Sequence, residues 1–480
     1  QNEIQSLGEY HSEDGGETFK KLQRPSSMSS DRVCIRYGDE GGLDKDGVIE
    51  IRRGVADLNL GKSHYAQVRI MVDDSHYLKG MAVYSDDIPE GYDVVFNTNK
   101  KSGTPKMKVL KPIKDDPDNP FGASIKANGQ STYIGEDGKE HLSPINKLKE
   151  EGDWDTMAKN LSSQFLSKQP VKLLKQQLDL TIADRKAEYD EIMQYNNPTI
   201  RKKLLLDFAD TCEGNSMTLK ASSFPGQATK VILPLSKIGE RECYCPTYPD
   251  GTQLALVRFP HAGTFEIPIV TVNNKNLSGR RNLGNVQDAI GINAKVAERL
   301  SGADFDGDTV VAIPKSSKVD IKSTPALKDL KDFDPKIAYA VPEGNPNGVR
   351  LMKKEEKQKE MGIISNLITD MTLRGAPEGD IARAVKHSMV VIDAEKHKLD
   401  YKRSERENGI QELKQKWQIR VQEDGTEKYG GASTLLSRRK QTVRVPERKG
   451  SARIDKETGE KIYKESGRTY IDPKTGKRVQ

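Results

Sequence analysis

Three aspartates at alternate positions, Asp304, Asp306 and Asp308, stand in the run Ser301-Gly302-Ala303-Asp304-Phe305-Asp306-Gly307-Asp308-Thr309, which opens into the apolar stretch Val310 to Ile313. On an extended backbone all three carboxylates point one way while Phe305 points the other, into a core. Carboxylates this close repel one another unless a cation lies between them. Gly307 lets the chain bend so that the oxygens converge, which a side chain there would hinder. A compact set of hard oxygen donors that leaves room for water or phosphate suits Mg2+. An EF-hand calcium loop would need Gly at the sixth position and Glu at the twelfth, where this chain has Thr309 and Lys315. The other alternative is a solvated acidic turn; such turns rarely open directly into a buried strand.

The 480 residues allow two to four domains, and the expected class is α+β. Residues 1–47, rich in Ser, Gly and acid, form a polar lead-in. Residues 48–139 carry short β-type runs broken by Gly, Asp and Pro, which predicts a first barrel or sandwich. From 140 to 215 the spacing of Met157, Leu161 and Phe165, then Val171, Leu174 and Leu178 after Pro170, predicts a helical linker. Strand-like runs return over 216–325, with the aspartates near their end. Residues 326–421 predict helices, with Met361, Ile364, Ile368 and Met371 on one face and Ile381, Val385, Met389 and Ile392 on another. Residues 422–480 read as a flexible basic tail.

Net charge is +6, from 77 Lys and Arg against 71 Asp and Glu, too small an excess to identify a nucleic-acid binder unless it gathers on one face. Six lysines between Lys100 and Lys114 are either a solvated face or a contact for a nucleic-acid backbone. Four cysteines fit a reducing, cytoplasmic compartment, and Cys243 and Cys245 lack the second pair that a zinc site needs. No apolar run reaches membrane-span length, the N-terminal residues do not read as a basic, apolar leader, and Gln1 in place of Met predicts a trimmed chain.

Ala303-Asp304-Phe305-Asp306-Gly307-Asp308 resembles the A-D-F-D-G-D loop of the large subunit of cellular RNA polymerases and the D-x-D-G-D loop of cellular RNA-dependent RNA polymerases. Lys79-Gly80-Met81-Ala82-Val83 and Asp87-Ile88-Pro89-Glu90-Gly91-Tyr92-Asp93-Val94-Val95-Phe96-Asn97 resemble, in order, words of the second-largest subunit. Arg258-Phe259-Pro260-His261 is similar to the R-x-P-x-L-H word of the large subunit, and Gly362 to Asn366, His387-Ser388 and Asp393 to Lys396 are similar to segments that follow the loop in the RNA-dependent enzymes. The resemblance implies two double-psi β-barrels joined by a helical linker, with a helical region after the second barrel. It implies a template-directed RNA polymerase that adds ribonucleotides to an RNA 3′ end by two-metal Mg2+ catalysis, and a phage or mobile element as one source.

By the same resemblance Asp304, Asp306 and Asp308 hold the metal, Lys79 reaches the substrate phosphates and Arg258 approaches the ribose. The family's second lysine falls at Met71, so Arg69 is the candidate for that contact. The bland readings are a solvated Lys79 and a structural ion pair at Arg258. His387 is set aside because six steps separate it from Asp393 where the family has five, and His261 because it falls on a variable position. The implied partners are ribonucleoside triphosphates, a DNA or RNA template and the RNA product, with no membrane. A DNA-templated single-chain RNA polymerase, a catalytically weak nucleic-acid-binding relative and a metal-dependent nuclease or phosphatase are the competing readings, and the shortness of the chain predicts a minimal form or a fragment.

Overall fold

The computed structural model describes residues 24–438 except 117–118, 124, 157–160, 162, 219–221, 260, 301–302, 332 and 423, together with short strand pieces near either end. Strands β1 (Val33–Arg36), β2 (Val48–Arg52), β3 (Tyr65–Val72), β4 (His76–Ser85), β5 (Val94–Asn97), β6 (Lys111–Pro112), β7 (Gln130–Ile134) and β8 (Glu140–Glu150) build one sheet in the order β7-β8-β3-β4-β2-β5-β1, with β6 alongside β4. Its centre is the β3–β4 hairpin. Asp73 and Asp74 turn it by adopting left-handed φ values of 49° and 54°, a conformation that short polar side chains tolerate. The turn sets a register in which Gln67 faces Met81, Arg69 faces Lys79 and Met71 faces Tyr77. Ile49, Ile51, Val68, Ile70 and Leu78 fill the core of this half.

A second group closes on itself. Strands β9 (Ala228–Pro234), β10 (Glu242–Tyr244), β11 (Gln253–Val257), β12 (Ile269–Val272), β13 (Ala289–Ile292) and β14 (Thr309–Pro314) form a barrel in the order β9-β13-β10-β12-β11-β14. β9 with β13, and β10 with β12, run parallel; the remaining neighbours are antiparallel. Ile232, Leu254, Ile290 and Val310 fill the barrel together with Val48 from β2, so the two β regions share apolar contacts. Cys243 and Cys245 are buried there, and burial pushes the Cys245 thiol up to about 11. Both are packing residues rather than ligands.

After the barrel, α-helices at Lys354–Arg374 and Glu378–His397 pack on Ile364, Ile368, Met371, Ile381 and Val385, the positions the helical spacing picks out. Gly375 at φ 76° ends the first of them. His387 is buried, with Nδ1 3.0 Å from the Ser404 hydroxyl, and burial lowers its pKa to about 4, as befits a packed helix residue. Helices Val171–Met193 and Pro198–Thr218 carry residues 178–220 into a separate compact unit, where the rings of Tyr189 and Phe208 lie 6.0 Å apart.

Several expectations need correction. The first β region is an eight-stranded sheet rather than a closed barrel. Val33–Arg36, expected in the lead-in, is a strand of that sheet, paired in parallel with β5. Glu140–Glu150, expected in the helical linker, is its longest strand, paired along β3. Between Trp154 and Pro170 the described residues hold one 3-10 turn, Ser163–Leu166, and the α-helix begins at Val171; Met157 lies outside the described residues. Apart from short strand pieces, the tail beyond Arg438 lies outside them too. Among the described residues no helix is long and apolar enough to cross a membrane.

Candidate active site and metal centre

The aspartates stand at the entrance to β14, a strand held on both sides: Val311 pairs with Thr229 of β9 and with Val257 of β11. Phe305 is 3% exposed and packs into the barrel core, anchoring the loop from below. The backbone at Phe305, Asp306 and Gly307 is a turn, not the extended strand that alternation suggests. Gly307 has φ 126°, a region that disfavours a side chain, and an added Cβ there would lie 2.9 Å from the Gln67 amide nitrogen. The turn brings one carboxylate oxygen each from Asp304, Asp306 and Asp308 within 4.8 Å of one another. The backbone amide of Asp306 donates to Asp304 Oδ1 at 3.3 Å, and that of Asp304 donates to Asp308 Oδ2 at 3.2 Å.

Three carboxylates in half-buried surroundings cannot all ionise cheaply. Burial, a hydrogen bond with Asp306 and the charges of Asp306 and Asp308 push the Asp304 carboxyl up from 3.8 to about 8. Asp308 is offset differently: Arg258, just past the end of β11, donates to its Oδ2 from Nε at 3.0 Å and from Nη2 at 2.8 Å. A proton and a guanidinium thus partly neutralise the cluster, and three hard oxygen donors gathered this way fit a divalent cation of the Mg2+ type. His261, nearby in sequence, is buried and neutral, with its pKa lowered by burial to about 4.

The first sheet supplies the other side. The Gln67 amide donates to the Asp306 carbonyl at 3.1 Å, and the amide of Phe305 donates to the Asp46 carbonyl at 3.2 Å. Gly47 has φ 88°, and a Cβ on it would meet the Asp306 Cβ at 2.8 Å. Arg69 is 7% exposed; its Nη1 donates to the Val68 carbonyl at 3.0 Å, its Nε has no partner, and the charge of Asp306 reaches it. Lys79 is half-buried directly across the hairpin from Arg69. The structure therefore brings Asp304, Asp306, Asp308 and Arg258 into contact and sets Arg69 beside Lys79 on the sheet that abuts them. Gln67, Asp46 and Gly47 escaped the sequence reading: no spacing marks them, and Asp46-Gly47 reads only as a turn before a strand.

A proton on Asp304 has a measurable consequence. Its folded pKa lies above its ordinary value, so the folded state keeps a proton that the unfolded chain has released, and the metal-free protein loses stability as pH rises from about 4 to about 8. A cation must displace that proton. Titrating Mg2+ or Mn2+ into the protein at pH 7 in two buffers of different ionisation enthalpy should therefore show release of roughly one proton, and affinity should climb until about pH 8. Identical heats in both buffers would mean that the trio is already ionised.

No family model matches the chain, and no curated protein does. Among solved structures it is similar to the RNA dependent RNA polymerase QDE-1 from Thielavia terrestris, at 13% sequence identity and a TM-score of 0.47 over 80% of this chain and 49% of that one. The chain thus spans about half the length of that enzyme.

Proposed function

We propose that the chain is a template-directed RNA polymerase, a nucleotidyltransferase adding ribonucleotides to an RNA 3′ end, with the closed six-stranded barrel as a divergent double-psi barrel and the eight-stranded sheet as its counterpart across the site. The observation that carries this reading is the aspartate trio, converged within 4.8 Å against a sheet that presents Arg69 and Lys79. Phosphoryl transfer needs an activated hydroxyl, neutralised phosphates and in-line placement, which calls for acid on one wall of a cleft and fixed cations on the other.

Asp304, Asp306 and Asp308 would hold magnesium, which when bound supplies the charge that favours an ionised 3′ hydroxyl and offsets phosphate charge. Phe305 and Gln67 keep the loop from drifting, one from the barrel core and the other from the facing sheet. Lys79 and Arg69 stabilise negative charge growing on the phosphates in the transition state. Arg258 steadies Asp308 through its two hydrogen bonds and would be the group that approaches the ribose. The Arg258 clamp also supports the second reading, a catalytically weak nucleic-acid-binding relative, since it competes with metal for Asp308.

The deciding experiment incubates the protein with Mg2+, four ribonucleotides and either single-stranded RNA or single-stranded DNA. Elongation on RNA supports an RNA-dependent enzyme and elongation on DNA a DNA-templated one; binding without product sinks the polymerase reading in favour of the weak relative, and a shortened template points to a nuclease. Lys79→Ala should slow incorporation by about tenfold or more, the loss expected for a transition-state charge contact. An unchanged single-turnover rate would remove Lys79 from the mechanism.

A further inference from the structure

Sheet geometry gathers more positive charge beside the aspartate loop than the assigned residues account for. Side chains two apart on a strand, and those directly opposite on a neighbouring strand, share a face. Tyr77 and Lys79 are two apart on β4, Arg69 is opposite Lys79, and Lys111 of β6 is opposite Tyr77, so Arg69, Lys79 and Lys111 lie on one face. Gln67, two residues before Arg69, is on that face too, and its amide meets the Asp306 carbonyl, which fixes what the face looks at. Lys396, near the end of the helix Glu378–His397, stands within electrostatic reach of Lys111.

Four cations have thus been brought together, and among the described residues none of Arg69, Lys79, Lys111 and Lys396 forms an ion pair. The Arg69 guanidinium is buried with its Nε unpartnered. Burial and then the charges of Lys79, Lys396 and Arg69 hold the Lys111 ammonium below its usual pKa, with Asp306 opposing the shift. Uncompensated like charges of this kind oppose folding. A ligand with several negative charges on a short chain removes the cost.

We propose that Lys111 and Lys396 are phosphate ligands, completing with Arg69 and Lys79 a preformed seat for a linear polyphosphate beside the aspartate loop. The naming of that ligand as the triphosphate of an incoming nucleotide, or the pyrophosphate that leaves, rests on the function proposed above; the seat itself does not. Lys396 gives the helical region after the barrel a direct hold on the substrate, and Lys111 does the same for the segment after β5.

The test is calorimetric titration of inorganic tripolyphosphate, and separately of pyrophosphate, into the full chain without template. Lys111→Ala and Lys396→Ala should each weaken tripolyphosphate binding about tenfold, the loss of one charge-assisted contact, while Lys101→Ala, which removes an exposed lysine of the same run, should leave it unchanged. A larger loss for tripolyphosphate than for pyrophosphate assigns the seat to the incoming nucleotide, and the reverse assigns it to the leaving group. Neither variant should lower the melting temperature, since each relieves crowding. Equal affinities in all three variants would overturn the seat, as would elongation by Lys111→Ala and Lys396→Ala with the nucleotide KM of the parent. A protein that binds tripolyphosphate through these lysines but elongates no template keeps the seat and loses the polymerase.

Discussion

Asp306→Ala should abolish elongation while leaving the folded protein as stable as before, or slightly more so. The effect on rate follows from geometry. Asp306 contributes one of three oxygens that meet within 4.8 Å, and two oxygens hold a divalent cation far more weakly than three. Charge stabilisation by such a cation is worth several kcal/mol, and about 4 kcal/mol corresponds to roughly a thousandfold in rate. Stability should hold because the backbone contacts that fix residue 306 survive: Gln67 donates to its carbonyl, alanine keeps the Cβ that Gly47 approaches, and the carboxylate's own hydrogen bond, with Asp304, only offsets a repulsion that leaves with it. Removing one of three mutually repelling acids should also lower the Asp304 pKa toward its ordinary range. The measurements are single-turnover elongation, thermal melting and template binding by anisotropy; elongation within tenfold of the parent would discredit the trio as the metal site.

The aspartate trio was legible because everything that marks it is local: acids at steps of two, a glycine where the chain must turn, and an apolar strand directly after. Its partners were less legible because they arrive from afar. Arg258 meets Asp308 across fifty residues of sequence, and Gln67 meets Asp306 across 239. Arg258 stands out in the sequence by its Arg258-Phe259-Pro260 word, which fits an ion pair as well as a substrate contact; the geometry is the ion pair, which is what an arginine does beside an uncompensated carboxylate. Gln67 had no such word, since a glutamine in a strand carries no spacing signal.

The same division runs through the fold. The helices at Lys354–Arg374 and Glu378–His397 were readable because their apolar residues follow the helical period and Gly375-Ala376-Pro377 breaks it. Strand β8 was not, because its sequence, Glu140-His141-Leu142-Ser143-Pro144-Ile145-Asn146-Lys147-Leu148-Lys149-Glu150, spaces Leu142, Ile145 and Leu148 three apart rather than two and contains a proline. It is held by backbone pairing with β3 and by the burial of Ser143 and Asn146, whose polar groups find partners: the Ser143 hydroxyl donates to the Asp57 carbonyl and the Asn146 amide to the Lys126 carbonyl. Hydrophobic alternation is blind to a strand stabilised that way. Val33–Arg36 alternates properly between buried and half-buried positions, but four residues inside a polar stretch are too few to stand out.

Gly47→Ala should cripple elongation from outside the aspartate loop. Gly47 sits at φ 88°, where an alanine is strained by about 1–2 kcal/mol. The added methyl would also stand 2.8 Å from the Asp306 Cβ, 3.2 Å from its nitrogen and 3.3 Å from its Cα, closer than carbon atoms approach without one of them moving. Gly47 has little freedom to retreat: its amide donates to the Asn97 carbonyl at 3.2 Å, and its carbonyl accepts from Met81 at 3.0 Å. Gly80 closes the remaining route, since a Cβ built there would already lie 2.1 Å from the Gly47 oxygen. The clash can be relieved on the aspartate side, where residue 306 lies in a turn between the core-anchored Phe305 and Gly307 and its carbonyl is held to the first sheet by the Gln67 hydrogen bond. Asp306 therefore yields, and in the role proposed for it a displacement of about 1 Å costs on the order of a hundredfold. Together with strain and overpacking of about 1–3 kcal/mol, the variant should melt a few degrees lower and need more Mg2+ for half-maximal rate. Elongation at the parental rate and Mg2+ requirement would show that the first sheet does not position the aspartates.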